Sequence, residues 1–211
     1  MNKKNKKFNT KAIHVGQTPE KLYGAVSLPI YLTSTFKQKE FGEYEYDYSR
    51  AGNPTRTNLE NNIASLEEGK EGISFSSGMA AISAVIHLLS AGDEIIFTRN
   101  VYGGTYRIME KIYKKFSIKP HWVDTTNLKE IKKAINKNTK MIYIETPTNP
   151  MMEICDIEEI SKICKKSKCI LVADNTFMSP YNQRPLTLGA DIVMHSVTKY
   201  LNGHSDIIGG I

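Results

Sequence analysis

A lysine near the end of the sequence and an aspartate upstream of it have the clearest potential for chemistry. Lys199 stands in the segment Ser-Val-Thr-Lys-Tyr, directly after a short apolar run, and Asp174 follows the apolar run Ile-Leu-Val-Ala. Most lysines are solvated surface charges. An amine that is buried beside another positive group loses its proton more easily, however, and such an amine can form a Schiff base. A carboxylate at the end of a buried strand needs a cationic partner, because an unpaired buried charge is costly.

A third feature is a run of small residues that precedes an apolar helical pattern. Ser76-Ser77-Gly78-Met79 would open that helix, and free N–H groups at the positive end of a helix form a seat for a phosphate. The same pattern also occurs as a simple helix cap, so by itself it leaves both interpretations open. Ser196 and Thr198, which flank the same predicted crevice, would add two hydroxyl donors.

Together these groups predict a cofactor site. Pyridoxal 5′-phosphate (PLP) needs a lysine for its aldehyde, a carboxylate for its ring nitrogen, a phosphate seat and an aromatic lid. A competing match is Ser196-x-x-Lys199, the S-x-x-K motif of serine penicillin-binding enzymes. In those enzymes the motif opens a helix and is followed by S-D-N and K-T-G. Here Val197 and Thr198 are poor helix formers, and neither later motif follows them.

The elements that must position these groups alternate along the chain. Short apolar runs bounded by polar residues predict strands buried on both faces, and stretches with apolar residues three and four apart predict helices. This alternation predicts an α/β fold with a mostly parallel sheet and helices on both faces, whose ligands bind beyond the carboxyl ends of the strands. The predicted strands are 94–98, 118–123, 141–145, 169–173 and 191–195, and the predicted helices are 55–68, 78–90, 104–116, 127–135 and 157–166.

Composition excludes several classes of protein. The 211 residues are 40% hydrophobic and 24% charged, which is ordinary for a globular domain. The net charge of +6 comes mainly from lysines in the first 11 residues, so the folded body has no basic excess for nucleic acid. Cys155, Cys164 and Cys169 have no C-x-x-C spacing, and we expect buried reduced thiols and no metal site. Four of the five histidines are expected to serve in packing or to support the site indirectly, namely His14, His87, His195 and His204.

The two ends of the sequence carry further expectations. The basic start is followed by no apolar stretch, and no run approaches the ~20 residues of a membrane helix, so we expect a soluble, cytoplasmic protein with no membrane partner. Residues 1–47 contain no helical period and predict an extended arm, ahead of a large domain over 48–211. Residues 207–211 are apolar and predict the beginning of a strand, which suggests that the chain is the front of a longer protein.

Six ordered motifs give the sequence a family resemblance that covers essentially the whole chain. It resembles the PLP-dependent enzymes of cysteine and methionine metabolism, which include cystathionine γ-synthase, γ-lyase and β-lyase, methionine γ-lyase and the O-acylhomoserine sulfhydrylases. The resemblance implies a PLP-dependent transferase fold of the aspartate aminotransferase type, here without the C-terminal domain that binds the substrate carboxylate. The motifs are Tyr48–Thr55, Ser77–Ala81, Val101–Thr105, Glu145–Pro150, Asp174–Phe177 and Ser196–His204.

The resemblance also implies roles for individual residues. Lys199 would bond to the PLP aldehyde and move protons between substrate carbons. Asp174 would bond the pyridinium nitrogen, and Tyr102 would stack on the ring and act as an acid or base near the leaving group. The other residues implied to bind the cofactor are Gly78, Met79, Ser196, Thr198, Tyr48, Arg50, Asn149 and Thr176.

The implied position of Tyr48 and Arg50 bears on assembly. The resemblance implies that both reach the phosphate in a neighbouring subunit, so that the active site needs a dimer, with a tetramer for a full-length chain. Bidentate binding of a phosphate by an arginine suits that role. Taken without the resemblance, the two residues would simply belong to an exposed polar arm.

The reaction implied is that of a carbon–sulfur lyase or transferase. Residues 103–107 and 175–186 resemble the γ-lyase and γ-synthase branches more than the β-lyase branch, and Asp47 would meet the distal amino group of cystathionine. We expect γ-elimination of cystathionine to cysteine, 2-oxobutanoate and ammonia. The alternatives are γ-synthase, sulfhydrylase or β-lyase chemistry, or a non-catalytic truncated remnant that binds PLP poorly or acts only through assembly with a complete subunit.

Overall fold

The computed structural model describes residues 7–211, which form two compact units that divide between Ser74 and Phe75. Of the predicted basic tail, Lys3, Lys4 and Lys6 lie outside the described residues. The predicted boundary between an arm and a large domain, at residue 47, stays a prediction.

The first unit contains two helices, α1 (Phe8–His14) and α2 (Pro54–Leu66). Helix α2 begins as its sequence predicts, because the Asn53 side chain accepts the Thr55 N–H at 2.9 Å and proline occupies the first turn. The prediction that residues 1–47 contain no helix is wrong at α1. The Asn62 amide donates to carbonyls of that helix and of the residue after it, including that of Val15 at 2.8 Å, so the support for α1 comes from α2.

The second unit has a five-stranded sheet whose neighbouring strands are all parallel, in the order β2-β1-β3-β4-β5. This confirms the predicted α/β class. Its elements are α3 (Gly78–Ile86), β1 (Glu94–Thr98), α4 (Gly103–Lys111), β2 (Lys119–Val123), α5 (Leu128–Ala134), β3 (Thr139–Glu145), α6 (Ile157–Ser167), β4 (Ile170–Asp174), α7 (Ser179–Asn182) and β5 (Ile192–Met194), with 3-10 turns at Tyr113–Phe116 and Pro185–Leu188.

Alternate residues of the strands face two separate hydrophobic cores. On β3, Tyr143 packs in the core that contains α3 and α4, whereas Ile142 and Ile144 pack in the core that contains α5 and α6. All three are fully buried. Burial on both faces explains why the strands are continuous apolar runs, and it places helices on both sides of the sheet.

Three predicted elements differ from the structure. The helix predicted over 78–90 ends at Ile86, and the one over 104–116 divides into α4 and a 3-10 turn. The strand predicted at 207–211 is wrong, because only isolated bridges form there, from Gly210 to Phe75 and to Ser196. A Cβ at Gly210 would overlap the Ser77 carbonyl oxygen, so this segment makes one close backbone approach that only glycine permits.

The strand order creates a crevice. The chain leaves β1 toward β2 through α4 on one face, whereas it leaves β3 toward β4 through α6 on the other face. In open α/β sheets, the loops diverge at such a switch point and ligands bind outside the carboxyl ends of the strands. Within residues 7–211, no helix combines the length and the apolar character needed to cross a bilayer.

Candidate active site

A cavity of about 920 Å³ lies at the carboxyl edge of the sheet, within the second unit. Its walls come from the start of α3 and from the residues that end or follow β1, β3, β4 and β5. This volume suits a ligand of cofactor size. The predicted site residues that line it are Gly78, Met79, Tyr102, Asn149, Asp174, Thr176, Ser196, Thr198 and Lys199.

Two predicted site residues do not line this cavity. Tyr48 and Arg50 belong to the first unit, where the Arg50 guanidinium lies over the Tyr48 ring, 5.0 Å from its centre. Their predicted contact with a phosphate in a neighbouring subunit stays a prediction.

Asp174 presents a buried carboxylate to the cavity. One oxygen accepts the Tyr143 hydroxyl at 3.1 Å, and the other accepts the Thr176 N–H at 3.1 Å. Burial raises the pKa of Asp174, although hydrogen bonds from Thr176, the charge of His195 and the Tyr143 hydroxyl oppose that rise. Burial and the charge of Asp174 raise the pKa of Tyr143, so its phenol stays protonated and donates. The site therefore holds a carboxylate that a cation in the cavity would stabilise.

Glu145 is the residue that the sequence-based site assignment missed. It pairs with Asp174 in the register of β3 and β4, so two buried carboxylates lie side by side at the cavity floor. Burial and then the charge of Asp174 raise the pKa of Glu145 to about 7. Its two oxygens accept the N–H of Tyr102 at 2.7 Å and of Asn149 at 2.9 Å. Glu145 is the last residue of one predicted strand, and Asp174 directly follows another. The similar position of the two acids at strand ends was the feature of the sequence that could have identified Glu145.

The carboxyl pair predicts how the stability of the ligand-free chain depends on pH. Because burial raises both pKa values, the folded chain binds protons more tightly than the unfolded chain, and the free energy of unfolding must fall as pH rises. For Glu145 the fall extends from about pH 4.5 to about pH 7. At 1.36 kcal/mol per pKa unit, the free energy of unfolding falls by roughly 3 kcal/mol over this range. Urea denaturation at several pH values measures it.

The same titration applied to Glu145→Gln should show a clearly smaller fall, because the variant has no proton to lose at that position. Glu158→Gln, which changes an exposed carboxylate on α6, is the matched control and should retain the wild-type dependence. Identical pH dependence in the wild type and Glu145→Gln would contradict the proposed electrostatic coupling.

The start of α3 forms another part of the cavity wall. Ser77 caps the helix by accepting the Ala80 N–H at 3.1 Å, while the first-turn amides of Gly78 and Met79 have no acceptor within the helix. A Cβ on Gly78 would lie 2.8 Å from the Ser196 Cβ, so the absence of a side chain lets Ser196 approach the helix end. Amides, a positive helix end and the Ser196 hydroxyl therefore meet at one place, as an anion seat requires.

Lys199 lines the cavity, but it is exposed. The expectation of a buried amine is therefore wrong. After β5 the chain enters turns, in which the Lys199 N–H donates to the Ser196 carbonyl at 3.2 Å and the Lys199 carbonyl accepts the Gly203 N–H at 2.8 Å. These turns hold the lysine at the mouth of the cavity, where its amine stays accessible to a ligand.

These groups fit PLP. The carboxyl pair provides the negative charge that a protonated ring nitrogen needs, and the start of α3 with Ser196 suits a phosphate. Lys199 and Tyr102 supply an amine and an aromatic ring on the same cavity. A single site thus contains each kind of group that this cofactor requires.

Comparison with known proteins identifies the family. The model of the Cys/Met metabolism PLP-dependent enzymes matches residues 9–211. The chain belongs to this family. PLP is therefore its expected cofactor, in agreement with the prediction from Lys199 and Asp174.

Relatives with different named activities share almost the same sequence identity with this chain. The chain is 53% identical to a cystathionine γ-lyase of Bacillus subtilis over 97% of its length, which is 54% of that protein. It is 54% identical to a cystathionine β-lyase of Lactococcus lactis, with the same two coverages. The crystal structure of cystathionine γ-lyase from Lactobacillus plantarum complexed with L-serine superposes with a TM-score of 0.95 at 50% identity, over 97% of this chain and 54% of that one.

Two conclusions follow. The chain spans about half the length of the relatives that it matches. A difference of one percentage point does not distinguish a γ-lyase from a β-lyase, so the comparisons show the family and do not identify the reaction.

Proposed function

We propose that the chain forms the PLP-binding part of a carbon–sulfur lyase that cleaves cystathionine by γ-elimination. The observation that carries the proposal is that Asp174, Lys199 and the start of α3 line one cavity at the switch point of the sheet. A carboxylate, an amine and an anion seat in one crevice correspond to the three anchoring points of PLP.

The proposed contacts assign one part of the cofactor to each group. Lys199 would bond the aldehyde carbon, Asp174 would bond the ring nitrogen, and Tyr102 would cover the ring. The amides of Gly78 and Met79 and the hydroxyls of Ser196 and Thr198 would hold the phosphate, and Asn149 and Thr176 would bind near the ring hydroxyl. When bound, PLP supplies an electron sink that stabilises negative charge on the substrate carbon beside the amino group.

The chain's own residues would manage the protons. Once the substrate amine had replaced it on the aldehyde carbon, the Lys199 amine would take the proton from the substrate α-carbon and pass that proton to the cofactor. It would then be free to take a second proton from the β-carbon, and its exposed position on the cavity suits such movement. The Tyr102 hydroxyl gives a proton to the departing sulfur. Asp174 keeps its charge toward the ring nitrogen, while Tyr143 and Thr176 hold its two oxygens in place.

Residues 103–107 and 175–186 are the basis for choosing γ-elimination. With one water, cystathionine gives cysteine, 2-oxobutanoate and ammonia. A γ-synthase or sulfhydrylase would instead exchange the γ-substituent of an activated homoserine, and a β-lyase would release homocysteine, pyruvate and ammonia from cystathionine and water.

We also propose that the chain assembles as a homo-oligomer, with Tyr48 and Arg50 of one subunit reaching the phosphate bound by another. Bidentate recognition of a phosphate by Arg50 is the physical basis of this arrangement. A complete protein would form dimers that share active sites, and these would pair as tetramers.

Product analysis tests the reaction. The purified chain is loaded with PLP and given cystathionine, and separately O-acylhomoserine with cysteine, and the products are identified by mass spectrometry. Formation of 2-oxobutanoate and cysteine supports the proposal, whereas homocysteine and pyruvate, or cystathionine made from O-acylhomoserine, would replace it with the corresponding alternative. PLP bound without any product would identify a non-catalytic PLP-binding chain.

A further inference from the structure

The orientation of the Tyr102 ring is not set by the hydrogen bonds of its own backbone. It precedes α4 in the loop after β1, its side chain lines the cavity, and it is 42% exposed. Its backbone N–H and carbonyl are engaged, the carbonyl with the Tyr106 N–H at 3.3 Å. A ring that must cover a flat ligand needs a defined orientation, and contacts from other residues must therefore provide it.

Glu145 holds the backbone of Tyr102. One carboxylate oxygen accepts the Tyr102 N–H at 2.7 Å, and the other accepts the Asn149 N–H at 2.9 Å. Glu145 is only 5% exposed, and a carboxylate buried to this degree is stabilised chiefly by such charge-assisted hydrogen bonds. The side chain thus joins the loop after β1 to the loop after β3 at the edge of the cavity.

Gly104 provides the space for the Tyr102 ring. A Cβ at this position would overlap Tyr102 Cε1 and would lie 3.0 Å from Tyr102 Cδ1 and 2.8 Å from Met79 Sδ. Gly104 is the second residue of α4 and lies in its first turn, where the helix itself does not require glycine. The Tyr102 ring, which packs where a Cβ would lie, accounts for glycine at this position.

Gly103 provides the contrast. It is exposed, and a Cβ there would meet only the end of the flexible Arg107 side chain, at 3.2 Å from Nη1. Of these two adjacent glycines, only Gly104 leaves space that the Tyr102 ring fills.

We infer that Glu145 and Gly104 are positioning residues for Tyr102: Glu145 fixes its backbone by accepting its N–H, and Gly104 leaves the space in which its ring lies beside the cavity. The inference rests on the proposed function in one respect, namely that the ring of Tyr102 covers the ring of PLP. The orientation of Tyr102 itself follows from contacts within the chain.

The glycine pair tests the inference first. Gly104→Ala and Tyr102→Ala should each lower the affinity for PLP about tenfold, because an aromatic contact of this kind contributes roughly a factor of ten. Gly103→Ala, the matched control, should stay within about twofold of the wild type. Combining Gly104→Ala with Tyr102→Ala should give no further loss, since the displaced ring is then absent. Equal effects of the two glycine changes would overturn the role of Gly104.

A double-mutant cycle tests Glu145. Glu145→Gln retains the size of the side chain but has only one oxygen to accept the two amides. Its effect on PLP affinity should be reduced in a Tyr102→Ala background by the part that acts through Tyr102, and the remainder comes from the lost charge of Glu145 and its bond to Asn149. With Thr198→Ala, on the phosphate side, the full effect should be additive. Additivity with Tyr102→Ala would overturn the role of Glu145. Circular dichroism and thermal midpoints identify variants that have unfolded.

A measurement without cofactor separates this inference from the proposed function. In protein labelled with ¹³C-tyrosine, the ring resonance of Tyr102, assigned with Tyr102→Phe, should shift in Gly104→Ala and Glu145→Gln but not in Gly103→Ala. If the wild type fails to bind PLP while these shifts appear, the proposed function fails and the positioning stands. If PLP binds covalently to Lys199 while the resonance does not move, the proposed function stands and the positioning is wrong.

Discussion

Replacing Lys199 with alanine is expected to abolish covalent attachment of PLP completely. Lys199 lines the proposed site and presents an accessible amine at the mouth of the cavity. Borohydride reduction of the PLP-loaded wild type should fix one cofactor on the peptide that contains this residue, as seen by mass spectrometry. The variant should show neither the modified peptide nor the visible absorbance of lysine-bound PLP.

Two further variants make this result specific. Lys132→Ala removes an exposed lysine on α5 that does not line the cavity, and it should keep the full absorbance and the labelled peptide. Lys199→Arg keeps the positive charge but cannot form the bond, so it should behave as Lys199→Ala does. A labelled peptide that remains in Lys199→Ala, or labelling of the wild type at another lysine, would remove the basis of the proposed function.

Asp174→Asn is expected to weaken PLP binding by at least about 30-fold while stabilising the ligand-free chain at alkaline pH. Removing one partner of a buried charge pair costs about 2–5 kcal/mol, and 1.4 kcal/mol corresponds to a factor of ten. Without the cofactor, the substitution should stabilise the fold. Burial raises the pKa of Asp174, so its negative charge destabilises the folded chain at alkaline pH. Equilibrium titration with PLP and urea denaturation at about pH 8 give the two quantities.

Asp156→Asn serves as the control for this second prediction. Asp156 accepts the Glu159 N–H at 3.0 Å at the start of α6, and asparagine caps a helix about as well, so neither quantity should change appreciably. Tyr143→Phe removes only one hydrogen bond to Asp174 and should give a smaller loss of PLP affinity. If Asp174→Asn binds PLP as tightly as the wild type, the carboxylate does not pair with the ring nitrogen.

The opposite signs expected for Asp174 illustrate a general property of binding sites. The buried carboxylates of Glu145 and Asp174 repel each other and are poorly solvated, so the ligand-free fold is less stable than it would be with neutral residues there. A cation delivered by a ligand relieves both costs. Residues that lower stability but increase affinity are typical of functional sites.

Most of the second unit was predictable from its sequence because the determining signals are local. An apolar run such as Ile170–Ala173 identifies a strand buried on both faces, and a cap such as Asp156 identifies the start of a helix. Helix α1 was missed, because the donor that satisfies its last carbonyls is Asn62. Such a contact between distant parts of the chain leaves no trace in the local pattern.

Nine of the eleven predicted site residues line the cavity, but their arrangement was not predictable from the sequence. Lys199, Asp174 and the start of α3 were identified from the residue types that follow apolar runs, and the structure places all of them on one cavity. The exposure of Lys199 was not predictable, because it depends on the turns after β5. The pairing of Glu145 with Asp174 depends on the register of two strands, which the sequence of either strand alone does not specify.

The sequence by itself thus determined the α/β class, the alternation of elements, the cofactor and the main candidate residues, because each depends on residue type, periodicity and motif order. Only the tertiary structure decided that Glu145 and Asp174 share the cavity floor, that Gly104 makes room for the Tyr102 ring, and that Lys199 lies at the cavity mouth. The first feature depends on the register of two strands that lie far apart in the chain. The other two depend on side-chain packing against α3 and on the turns after β5, which residue types alone do not specify.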